Sequence, residues 1–117
     1  MVTGAAGFIG SHLCEALVGR GDDVVGFDSF DEFYDPAVKR RNIRSLVDND
    51  RFRLIEGDIR DAALVNEALG DEISVVVHLA ARAGVRPSIE QPLLYQDVNV
   101  NGTMVLLEAC RQRGIKR

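Results

Sequence analysis

No stretch of this sequence approaches the eighteen or so consecutive apolar residues that a membrane-spanning helix needs, and no signal peptide is visible. Cysteine is almost lacking. Cys14 and Cys110 show neither C-x-x-C spacing nor a nearby ligand cluster, so no metal site is expected. Each falls on an expected helix, where a free thiol behaves as a small buried hydrophobe. Nothing calls for an oxidising compartment, and a cytoplasmic location is the expectation. Positive charge is also in deficit: 14 Lys and Arg against 18 Asp and Glu leave a net charge of −4. Nucleic acid and anionic membranes are not drawn to such a surface, so neither is expected as a partner. Local basic groups, at Lys39, Arg40, Arg41 and Arg44 and again at Arg111, Arg113, Lys116 and Arg117, are expected to be solvated helix faces. Repeats, linkers and low-complexity tracts are missing as well.

What is present is an ordinary globular composition, 46% hydrophobic and 27% charged, over 117 residues, enough for one core and one domain. Strand-like and helical runs alternate throughout. Met1–Thr3 reads as a strand end. Ile9, Leu13, Ala16 and Leu17 then recur at helical spacing, with Gly21 placed as a C-terminal cap. Asp23–Asp28 reads as a second strand, and a polar excursion from Ser29 to Pro36 is too long for a simple turn. A helix is expected from about Pro36 to Val47, a strand at Phe52–Glu56, and a short helix capped by Asp61 and running to Leu69. Ser74–Ala80 is Val-rich and apolar on both faces, the pattern of a buried parallel strand. A loop containing Gly84 and Pro87 leads to a long helix from about Pro92 to Arg113, closed by Gly114. The order implies an α/β fold, a doubly wound parallel sheet with helices on both faces.

The glycine loop after the first strand is the most informative stretch. Gly4 permits a tight strand-to-helix turn, Gly7 lets backbone approach a pyrophosphate, and Gly10 allows close helix–sheet packing. Free N–H groups at the helix start then suit phosphates. By itself this spacing also describes plain turns, but here it lies between a strand and a helix, and Asp28 follows 18 residues after Gly10 at the end of the next strand. A carboxylate there accepts hydrogen bonds from both adenosine ribose hydroxyls and repels a 2′-phosphate, favouring NAD over NADP. The plain alternative is a strand-end carboxylate exposed to water.

Val2-Thr3-Gly4-Ala5-Ala6-Gly7-Phe8-Ile9-Gly10-Ser11-His12-Leu13 resembles the opening of the extended short-chain dehydrogenase/reductases, the NAD-dependent epimerase/dehydratase family. Gly57-Asp58-Ile59-Arg60-Asp61, His78-Leu79-Ala80-Ala81, Ala83-Gly84-Val85-Arg86 and Asn99-Val100-Asn101-Gly102-Thr103 agree in order and spacing, so the resemblance covers nearly the whole chain. Phe33-Tyr34-Asp35-Pro36 and Ala81-Arg82-Ala83-Gly84-Val85-Arg86 are most similar to UDP-glucuronate 4-epimerases and their UDP-glucose 4-epimerase relatives. The resemblance implies a Rossmann-type domain binding NAD. Phe8 and Ile9 would offer backbone to the pyrophosphate, and Asp28 would hold the ribose. Asp58 and Ile59 would flank the adenine, Leu79, Ala80 and Ala81 would line the cofactor, and Asn99 would support that side from the long helix. Arg86 would lie near the sugar and could meet a substrate carboxylate. Alternatives stand beside these roles: Asp58 as a turn-closing residue, Asn99 as a buried polar residue bonded to neighbouring backbone, Arg86 as a surface charge, His12 as a packing residue, and His78 as a core histidine held by a hydrogen bond.

No catalytic residue is identified. The family's Tyr-x-x-x-Lys pair has no counterpart, because Val38 and Asn99 stand four residues after Tyr34 and Tyr95. The chain is expected to be a partial NAD-binding domain, residues 1–117, that stops before the fifth strand and the substrate domain and is inactive alone. The parent reaction implied is 4-epimerisation of a UDP-sugar, UDP-glucuronate foremost, through a 4-keto intermediate. A nucleotide-sugar dehydratase, decarboxylase or reductase, or a non-catalytic NAD-binding module, remains open. In a 3-2-1-4 order the Ser74–Ala80 strand is an edge, so self-association is expected through it or through the 92–113 helix.

Overall fold

The computed structural model describes residues 1–117. Four strands, β1 (Val2–Thr3), β2 (Val24–Asp28), β3 (Phe52–Glu56) and β4 (Val77–His78), form one parallel sheet in the order β3-β2-β1-β4. The helices are α1 (Phe8–Arg20), α2 (Pro36–Asn42), α3 (Arg44–Val47), α4 (Ala62–Ala68), α5 (Val85–Glu90), α6 (Pro92–Gln96) and α7 (Gly102–Arg113). A π-helical segment, Asp97–Asn101, joins α6 to α7.

Side chains alternate across a strand, and β2 shows the result. Val24 turns into a cluster with Val2, Ala5, Cys14, Ile43 and Leu46, beneath α1 and α3. Val25 and Phe27 turn to the opposite face, against Val65, Leu69, Leu106 and Ala109 of the α4 and α7 side. Each face of the sheet therefore has its own core, which is the doubly wound arrangement expected. Complete burial of Phe27 stabilises the fold by about 1.5–3 kcal/mol relative to exposure. Cys14 lies inside the first cluster, and burial pushes its thiol up to about 11, so it stays protonated and packs as a hydrophobe.

Helix ends follow local chemistry. Gly21 and Gly114 take left-handed conformations just past α1 and α7. Asp61 accepts from the Ala63 and Leu64 N–H groups, and Asp35 accepts from Ala37 N–H with Pro36 at the first helical position.

Four elements depart from expectation. The Pro36–Val47 helix breaks at Ile43, whose bent backbone drives its own side chain and that of Leu46 into the core. The strand expected over Ser74–Ala80 shrinks to Val77–His78 and is half-buried rather than covered on both faces. Its one ladder partner, β1, supplies just two residues, and Val76 N–H bonds instead to the Arg117 carbonyl. The loop around Pro87 contains α5. Pro87 occupies the first turn, where its missing N–H has no partner to lose. The long helix is interrupted by the π segment, whose extra residue per turn shifts the direction in which Asn99 points.

Candidate functional site

The site forms where the carboxyl ends of the parallel strands meet the loops that follow them. After β1 the chain turns at Gly4 (φ +69), and Gly4 N–H bonds to the Phe27 carbonyl at 2.8 Å. A Cβ at Gly4 would lie 2.8 Å from Ala80 N, so the loops after β1 and β4 touch backbone to backbone. A Cβ at Gly10 would collide with the Gly4 carbonyl, so glycine lets α1 seat directly on the turn. No side chain caps α1, and its first-turn N–H groups have no intrahelical acceptors. Phe8 and Ile9, in that turn, project their side chains outward at 75% and 68% exposure. What they offer inward is backbone.

Asp28 ends β2 and is 4% exposed, which rules out the solvated strand-end reading. Its Oδ2 accepts from Ala6 N–H at 3.0 Å. Its Oδ1 accepts from Phe30 N–H at 2.8 Å and from the Lys39 ammonium at 3.1 Å. A carboxylate has about four lone-pair sites, so roughly one remains for an outside donor. Lys39 corrects the expectation of a solvated basic face: it is 8% exposed and lies 5.3 Å from the Tyr34 ring centroid. Its neighbour Arg40 stays outside, stacked on Phe30 and paired with exposed Glu56. Phe30 is the one non-glycine residue at positive φ (51°), a strain of about 1–2 kcal/mol held by the Asp28 bond and by its own burial.

Asp58 follows β3 and does both things considered for it. It closes its turn by accepting from Arg60 N–H, and it also lines the cleft. The Arg60 guanidinium grips both Asp58 oxygens and reaches Asp97 at 2.7 Å, holding both carboxyls below the usual range and tying the β3 loop to the π segment. Ile59 points into the core beneath Gly102.

The wall after β4 rests on a hydrogen-bonded chain. Thr3 Oγ accepts from the Leu79 and Ala80 N–H groups, which leaves its own proton for His78 Nδ1 at 2.7 Å. His78 Nε2–H then donates to Thr103 Oγ at 3.0 Å, whose hydroxyl donates to the Asn99 carbonyl. This order of donors requires a neutral imidazole, and burial accordingly lowers the His78 pKa. Asn99 turns its amide onto the Arg82 backbone, accepting from N–H at 2.8 Å and donating to C=O at 3.0 Å. It is half-buried where its alternative reading has it buried, and it bonds backbone 17 residues away, thereby fixing the loop. Tyr95 adds a bond from its hydroxyl to the Ala83 carbonyl at 2.6 Å.

A cleft of about 190 Å³ results. Of the residues singled out in the sequence, Gly4, Gly7, Asp28, Asp58, Ile59, Leu79, Ala80 and Ala81 line it. Phe8, Ile9 and Gly10 do not line it but follow the lining Gly7 as the first residues of α1, Asn99 stands behind its wall, and Arg86 is exposed on α5 away from the lining. His12 donates to the Phe8 carbonyl and lies edge-on to that ring, a surface contact between two exposed side chains and not core packing. Sequence reasoning missed Ser29, Asp31, Phe33, Lys39 and Arg82, all of which line the cleft. The unusual length of the Ser29–Pro36 excursion was the available signal. No helix is long and apolar enough to cross a membrane.

Comparison with known proteins agrees with this geometry. The chain is 45% identical over 112 residues to UDP-glucuronate 4-epimerase 3 of Arabidopsis thaliana, covering 95% of this chain and 26% of that protein. Among solved structures, UDP-glucuronic acid 4-epimerase from Bacillus cereus, in complex with UDP-glucuronic acid and NAD, matches at 47% identity and a TM-score of 0.84. That match covers 94% of this chain and 35% of the other. The dTDP-glucose 4,6-dehydratase DesIV of Streptomyces venezuelae, with NAD and TYD bound, matches at 34% identity and 0.86, covering 97% and 36%. The chain thus spans about a quarter to a third of the relatives it matches. The family model of GDP-mannose 4,6 dehydratase matches residues 1–117, and the chain belongs to that family of the NAD-dependent epimerases and dehydratases.

Proposed function

We propose that the cleft holds the adenosine diphosphate half of NAD and that the chain is the cofactor-binding portion of a nucleotide-sugar 4-epimerase acting on UDP-glucuronate. The observation that carries this is Asp28, a buried carboxylate at a parallel strand end, lining a cleft together with Gly7, the residue from which the uncapped α1 starts. The free N–H groups there and the helix dipole suit the pyrophosphate, with Gly7, Phe8, Ile9 and Gly10 supplying backbone. Asp28 has about one acceptor site left, enough for one ribose hydroxyl and not the two expected, because Ala6, Phe30 and Lys39 occupy the rest, and Asp58 and Ile59 border the adenine side. The volume lies below the roughly 300–1,000 Å³ of a whole ligand pocket, in keeping with half a dinucleotide. Arg86, exposed and without an ion-pair partner, is free to meet a sugar carboxylate. When bound, NAD supplies a reversible hydride acceptor for the sugar carbon. This chain's residues bind and orient the cofactor, and the epimerase relatives at 45–47% identity favour UDP-glucuronate as the sugar nucleotide.

The test is a calorimetric titration with NAD, with NADP and Asp28→Ala as controls. NAD should bind, and the variant should weaken binding at least tenfold. A folded chain that takes up no NAD would overturn the reading.

Self-association belongs to the same proposal. Leu93, Val100, Met104 and Leu107 are exposed along α6, the π segment and α7. The Val76–Arg117 bond partly occupies the β4 edge, so the helix face is the better candidate. Sedimentation should show a dimer that Leu107→Glu dissociates, and a wild-type monomer would refute it.

A further inference from the structure

Two walls of the cleft come from segments far apart in sequence. One is the excursion after β2, through Asp31 and Phe33, and the other is the loop after β4, through Arg82 and Ala83. Three contacts join them. Arg82 Nη1 donates to Asp31 Oδ2 at 2.7 Å. The Arg82 guanidinium lies 5.7 Å from the Phe33 ring centroid and 5.6 Å from that of Tyr95. Phe33 packs so closely on Gly84 that a Cβ there would be 3.2 Å from its Cζ.

From these contacts we infer that the Asp31–Arg82 bridge is a latch across the cleft that sets how long a bound dinucleotide stays. The inference rests on the reading of the cleft as an NAD site. The two sides differ in rigidity. The Arg82 backbone is clamped on both its N–H and C=O by Asn99, and the next carbonyl is held by Tyr95. That side is an anchor. The other side is a loop that begins at the left-handed Phe30 and is turned by Phe33 N–H onto Asp31 Oδ1 at 2.9 Å. The oxygen that shapes the loop and the oxygen that Arg82 holds thus belong to one carboxylate, so release of Arg82 frees the residue around which the loop is built.

The closed state is also not fully satisfied. Arg82 Nε is sealed from solvent with no acceptor, while the Asp31 side chain is 41% exposed. Closing gains one charge-assisted bond and a stack on two rings, and it costs Nε its water. Opening reverses both. Opposed terms of similar size make a contact that opens and closes, not a permanent staple.

Release of the fluorescent analogue etheno-NAD, chased by excess NAD in stopped flow, reads the latch directly. Arg82→Gln and Asp31→Asn should each raise the dissociation rate about tenfold, with association changed little, since losing one partner of such a pair acts on release. The double variant should be no faster than either single one. Arg82→Lys, which keeps the charge and loses the planar fork, should fall between. Wild-type release rates in both single variants, or effects that add in the double, would overturn the latch. Hydrogen exchange without ligand supplies an independent readout: the Phe33 amide should exchange faster in Arg82→Gln, and unchanged exchange also overturns the latch. A wild type that binds no NAD while Arg82→Gln still loosens Phe33 would instead overturn the ligand assignment and leave the bridge as the closure of this cleft.

Discussion

Lys39→Met isolates the buried pair at the centre of the site. Methionine keeps the aliphatic stem in place, so the change removes charge more than packing. Asp28 and Lys39 meet at 3.1 Å with side chains 4% and 10% exposed, which leaves little solvent to screen the loss. Removing one partner of such a pair costs about 3–5 kcal/mol, because the other charge stays buried. Asp28 retains the Ala6 and Phe30 N–H groups, so about 2–3 kcal/mol is expected here. At roughly 4 °C per kcal/mol for a chain of this length, the melting midpoint should fall about 8–12 °C. Scanning calorimetry measures it, with urea unfolding as the check that the denaturant slope is unchanged. The double variant Asp28→Asn with Lys39→Met should recover part of the loss, since no charge is then stranded. A Lys39→Met midpoint within about 1 °C of wild type would refute the claim that the pair is electrostatically buried.

Lowering the pH from about 7.5 to about 5.5 should destabilise the chain. His78 has a folded pKa below its ordinary 6.5, so the unfolded state binds more protons and stability is lost as pH falls through that region. Urea midpoints against pH check this, and the slope should flatten in His78→Gln. Asn99→Ala removes two bonds to Arg82 backbone and should cost about 1–3 kcal/mol, with faster hydrogen exchange over residues 80–84, while Asn99→Asp keeps one bond and should cost less. Gly10→Ala should destabilise by at least about 1–3 kcal/mol because its Cβ meets the Gly4 carbonyl. Gly19→Ala, an exposed position of α1 with open space around it, should stabilise by about 0.5–1 kcal/mol. Thermal denaturation of the two variants side by side decides both.

The site was legible where it is built from backbone that one motif dictates, and obscure where side chains meet across sequence. The Gly4–Gly10 turn and the placement of Asp28 could be read because strand, turn and helix are consecutive. Lys39 could not be told from Arg40 and Arg41, since the face of α2 that turns inward depends on where β2 lies. Arg82 and Asp31 are 51 residues apart, and neither stretch alone hints at the other. The role of Asn99 depended on a π turn for which the residues around it carry no signal.

By itself, the sequence determined the alternation of strands and helices, the caps at Asp61, Gly21 and Gly114, and the doubly wound order. Those follow from periods and backbone preferences that operate within a few residues. Only the tertiary structure decided how far β4 runs, where the helices break, and which polar groups of the cleft are already spent on one another. Strand length depends on a partner's length, as β1 limits β4. The free acceptor capacity of Asp28 depends on an ammonium 11 residues away that the fold, and not the chain's local chemistry, brings to it.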